Sequence, residues 1–79
     1  MPRYHFNVYN GRSSIDLEGT DLPNRQQAQR EAIRLAGALL CEEADTLTPD
    51  DDWRLEVTDA SGLILFRFDF SFQKAQATL

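Results

Sequence analysis

Arg3-Tyr4-His5-Phe6-Asn7-Val8-Tyr9-Asn10-Gly11 decides the architecture of this chain. Tyr4, Phe6 and Val8 alternate with Arg3, His5, Asn7 and Tyr9. A period of two in aromatic and β-branched residues marks a strand with one buried face. Asn10-Gly11 follows at once, and both residues tolerate the positive φ that a tight hairpin needs. Ile15 and Leu17 are then expected to reach the core from a second strand. Asp16 and Glu18 would point outward, and Gly19 would end the hairpin.

Working outward, the same pattern returns near the other end. Trp53, Leu55 and Val57 alternate with Arg54, Glu56 and Thr58 as a third strand, and Asp59-Ala60-Ser61-Gly62 reads as a turn. A fourth strand runs from Leu63 to about Phe70. Alternation puts Ile64, Phe66, Phe68 and Phe70 on one face, with Leu63, Leu65, Arg67 and Asp69 on the other. Between the hairpins lies a helix. Asn24 can cap it and Gln27 completes the spacing of a capping box. Ala28, Ala32, Leu35, Ala36, Leu39 and Leu40 recur as one apolar stripe, with Gln27, Arg30, Glu31, Arg34, Ala38, Cys41 and Glu42 on the opposite arc. Thr48-Pro49 cannot extend the helix.

These elements give an α+β fold: β-hairpin, helix, β-hairpin, with one helix on one face of a four-stranded sheet. Residues 1–72 form a single domain and 73–79 a loose tail. Placing the apolar fourth strand centrally, beside the first, gives the order 2-1-4-3 by analogy with β-grasp-like folds.

With 79 residues there is room for one core. A net charge of −5 argues against the concentrated positive field that nucleic acid demands, and against docking on an anionic membrane. The single Cys cannot close an intramolecular disulfide, and no signal peptide or membrane span is read, so the expected compartment is the cytoplasm. No zinc-type spacing or glycine-rich phosphate loop is present, and no cofactor is expected.

The candidate chemistry is thin. A dyad of Cys41 and His5 would need the two in hydrogen-bond reach, but the helix and strand assignments put the sheet between them. Asp45, Asp50, Asp51 and Asp52, with Glu42 and Glu43, could hold a hard cation, yet they lack the alternating ligands and central glycine of a calcium loop. They read as a solvated acidic loop. The most informative surface is the sheet face that the helix leaves open. Arg3, His5, Tyr9, Arg54, Leu63, Leu65 and Arg67 are its candidate interaction residues, since Tyr and Arg are favoured at interfaces and two leucines would stand exposed.

Met1-Pro2-Arg3-Tyr4-His5-Phe6, Glu18-Gly19-Thr20-Asp21-Leu22-Pro23 and Glu56-Val57-Thr58-Asp59 with Gly62 resemble a domain-of-unknown-function family of small proteins from rhizobial and related alphaproteobacteria. The resemblance spans roughly residues 1 to 72, and its motifs are turn glycines, a helix-entry proline and alternating strand residues. It implies a bacterial protein and assigns no activity or catalytic residue. The expectation is a non-catalytic module that binds another protein or a second copy of itself. A small metal-dependent or carboxylate-based enzyme is the alternative, and an accessory binder of single-stranded nucleic acid is a third reading.

Overall fold

The computed structural model describes residues 1–11 and 13–75. The expected tail therefore lies partly outside the described residues. Strand β1 spans Arg3–Tyr9, β2 Ser13–Ser14 and β3 Thr20–Asp21; helix α1 spans Arg25–Glu42; β4 spans Asp52–Thr58 and β5 Ile64–Ser71. The fold is α+β, with one helix and a five-stranded antiparallel sheet.

The chain enters α1 as its sequence anticipates. Asn24 is extended and its side chain accepts the Gln27 N–H at 2.9 Å, which satisfies one of the donors that a helix start leaves free. Ala28 and Ala32 are fully buried, and Leu35, Ala36, Leu39 and Leu40 pack against the same core. Alanines on this stripe let the helix axis lie close over β4, the strand it crosses.

Three expectations about the sheet are corrected. The order is β2-β1-β4-β5, with β3 also paired to β1. The strand after the helix, not the last one, is central. Its side chains explain the placement: Trp53, Leu55 and Val57 are buried on the helix side, and Glu56 and Thr58 are buried on the other. Only a strand with neighbours on both edges is covered that way. The phenylalanines of β5 are large enough to reach the core from an edge, so apolar content does not imply a central position.

The second strand is also not continuous. β2 pairs Ser13 and Ser14 with Tyr9 and Val8, and β3 pairs Thr20 and Asp21 with Tyr4 and Arg3. Residues 15–19 bulge away between them. Ile15 and Leu17 are therefore exposed, at 50% and 86%, rather than in the core.

The last hairpin contains a phase change. Val57 faces Phe66 but Thr58 faces Ile64, so Leu65 is an extra residue in β5. This bulge turns Leu65 into the core with Phe66, Phe68 and Phe70, and leaves Ile64 beside Thr58 on the open face. The face assignments of Ile64 and Leu65 from strict alternation are both reversed. The core itself is small: Tyr4, Val8, Ala28, Ala32, Trp53, Leu55 and Val57 are buried, with Phe70 meeting Trp53 edge to face at 5.9 Å.

A candidate interaction surface on the open sheet face

Pairing register fixes which side chains share the uncovered face. His5 lies opposite Thr58, Asn7 opposite Glu56 and Tyr9 opposite Arg54; Glu56 and Arg54 in turn lie opposite Arg67 and Asp69. The face divides into a charged end and an apolar end.

At the charged end the Arg54 guanidinium stacks over the Tyr9 ring, 4.3 Å from its centroid, and its Nε donates to Glu56 at 2.9 Å. Arg67 donates to Asp69 on the same strand at 3.0 Å. Positive and negative groups thus alternate both along and across the strands, an arrangement that stabilises neighbouring strands and leaves little net charge at this end. Tyr9, Arg54, Arg67 and Asp69 line a shallow depression of about 420 Å³ with Trp53 and Phe70 below it.

The other end is organised by Asp16. Its carboxylate accepts the Phe6 N–H at 3.1 Å and the Gly19 N–H at 3.0 Å, and its own N–H donates to Asn7 Oδ1 at 2.9 Å. The side chain thereby replaces the strand pairing that is missing between β2 and β3. Burial pushes the Asp16 carboxyl up. The Gly19 and Phe6 amides, with the charge of His5, outweigh that and hold it below the ordinary carboxylate value. His5 Nδ1 lies 2.7 Å from the Asp16 carbonyl, which can only accept, so Nδ1 carries a proton. Gly19 closes the loop at φ +74°, where a Cβ would fall 2.8 Å from Arg3 Cγ.

This internal use settles the place of Arg3. Its guanidinium grips Asp21 through Nε at 2.9 Å and Nη2 at 3.2 Å, and the Glu18 carbonyl through Nη1 at 2.9 Å. The hydrogen bond from Arg3 lowers the Asp21 carboxyl despite an opposing contribution from burial. Arg3 fastens β3 to β1 and is committed to that task.

Of the residues singled out from sequence, Tyr9, Arg54 and Arg67 meet at the charged end, while His5 sits at the apolar end. Leu63 is exposed beyond the turn, and Leu65 packs into the core. The apolar end holds residues that sequence reasoning had sent elsewhere. Ile15 and Leu17 stand beside His5, Asn7 and Thr58 around an open groove of about 230 Å³, and Ile64 is half exposed next to Thr58. The run Leu63-Ile64-Leu65-Phe66 carried the missing signal, because apolar residues in succession break alternation where a bulge intervenes.

Cys41 is exposed on the helix, with the sheet between it and His5. In the acidic loop Asp51 accepts from the Thr48 N–H at 2.7 Å and from its hydroxyl at 3.1 Å, a turn-forming role. Among the described residues no group of three or more His, Cys, Asp or Glu is gathered as a metal site requires. No helix among them is long and apolar enough to cross a membrane. No curated protein and no solved structure matches the chain. A family model does match, over residues 3–71, and the chain belongs to the family described as Domain of unknown function (DUF6894).

Proposed function

We propose that this domain is a non-catalytic interaction module, working in a bacterial cytoplasm, that binds a protein chain on the surfaces its helix leaves open. One observation supports this most: Ile15 and Leu17 stand exposed around the half-buried His5, with exposed Ile64 beside Thr58, at one end of an otherwise polar sheet face. Nothing in the fold requires them there, since the loop of residues 15–19 is held by Asp16, Arg3 and Gly19. Large aliphatics around a polar centre are the composition of a protein-docking patch rather than of a substrate cleft. The alternating charges of Arg54, Glu56, Arg67 and Asp69 would orient a partner at the end where Arg54 stacks on Tyr9.

Burying a Leu side chain contributes about 1.5–3 kcal/mol, or roughly ten- to a hundredfold in affinity. The test is quantitative capture by the wild-type chain and by the Ile15→Glu/Leu17→Glu double variant, with circular dichroism melts run alongside. The reading expects a partner held by the wild type and lost from a variant that melts at the same temperature. A partner held equally by both would refute it.

A further inference from the structure

Strand β5 is an edge: among the described residues β4 pairs with one side of it and no strand with the other. Its sequence, Ile-Leu-Phe-Arg-Phe-Asp-Phe-Ser, contains none of the prolines or lysines that commonly blunt such an edge, and only one irregularity, at Leu65. We propose that β5 pairs antiparallel with β5 of a second copy, about a two-fold axis at Phe68, to join two sheets into one. The proposal rests on the reading of the domain as an interaction module and names one partner for it, a second copy of this chain.

The charges choose the register. Centred on Phe68, the pairing sets Arg67 opposite the partner's Asp69 and Asp69 opposite the partner's Arg67, while Phe66 meets the partner's Phe70. Centred on Arg67 or on Asp69, it would set like charges face to face. A register offset by one residue would put the phenylalanine face of one copy level with the charged face of the other. Only the Phe68 axis continues the existing pattern. Arg54 already lies opposite Asp69 and Glu56 opposite Arg67 within one chain. Across the joined sheet, Arg54, Asp69, the partner's Arg67 and the partner's Glu56 then alternate in sign, and the two-fold repeats that row. The contact is isologous, so both β5 edges are consumed. The opposite edge of each sheet is broken at Asp16, which stops assembly at two copies.

Sedimentation velocity over a concentration series tests this. The wild type is expected to move from monomer to dimer and no further. Arg67→Asp and Asp69→Arg chains should each remain monomeric, because each sets like charges opposite one another. Mixed together they should form a heterodimer, since every opposed pair is then of opposite sign. If either fails to fold, the charge-neutral Arg67→Gln/Asp69→Asn double variant should weaken the dimer about tenfold, from the loss of two cross-strand ion pairs. A wild type that stays monomeric, single-charge variants that dimerise like the wild type, folded variants whose mixture does not associate, or a neutral variant of unchanged affinity would each overturn the β5 contact. None of those results touches the open-face patch, which the Ile15→Glu/Leu17→Glu capture tests separately.

Discussion

Removing the carboxylate of Asp16 should loosen the edge of the sheet where β2 and β3 meet β1. Asp16→Ala deletes two acceptor contacts, to Phe6 N–H and to Gly19 N–H, and leaves the gap between β2 and β3 without a partner for β1. A hydrogen bond to a charged group contributes about 1.5–3 kcal/mol net. Asp16 is half-buried and water can reach the freed amides, so the two together should cost about 2–3 kcal/mol. At roughly 4–8 °C per kcal/mol for a domain of this size, the melting temperature falls on the order of 10–20 °C. Asp16→Asn keeps one acceptor oxygen and should lose about half as much. A pH signature accompanies the loss. The folded carboxyl is held below its ordinary value of 3.8, so its stabilisation is complete above that value and fades as pH falls through the lower folded one. Wild type and Asp16→Ala should therefore differ most at neutral pH and converge in acid. Urea denaturation followed by circular dichroism at several pH values measures both effects. A cost below about 0.5 kcal/mol, or a gap that widens on acidification, would refute the argument.

Three further outcomes follow from the same structure. Leu65→Glu should cost about 2–4 kcal/mol by forcing a charge into the phenylalanine layer, whereas Ile64→Glu should cost under about 1 kcal/mol; equal effects would deny the bulge. Gly19→Ala combines a positive φ with a Cβ close to Arg3 Cγ and His5 Cε1, and should cost about 1–3 kcal/mol in thermal unfolding. Leu55→Ala, at the fully buried centre of β4, should cost about 2–5 kcal/mol in urea titration.

The layer structure was legible in the chain because periodicity reports faces. Every residue of the expected helix stripe, from Ala28 to Leu40, packs on the core, and Asn24 caps the helix. Neighbour relations were not legible in the same way. The order of strands depends on which edge accepts the chain after the helix, and β5 looks central by composition only because phenylalanine reaches far. The two side-switching errors share one cause. Ile15-Asp16-Leu17-Glu18 alternates equally well in either phase, and a carboxylate that replaces strand pairing has the same sequence signature as one facing water. Likewise a bulge adds one residue without altering composition, so Ile64 and Leu65 exchanged sides. The candidate surface moved with them, from Leu65 towards Ile15, Leu17 and Ile64.

The claim that the β5 edge, rather than the helix thiol or the acidic loop, joins two copies of this chain is checked by an amide NMR dilution series of the wild-type chain. Concentration-dependent shifts are expected along Ile64–Ser71, while Cys41 and the acidic residues Asp50 and Asp51 keep theirs. Shifts that do not change with concentration, or that centre on the acidic loop or the helix thiol, would contradict it.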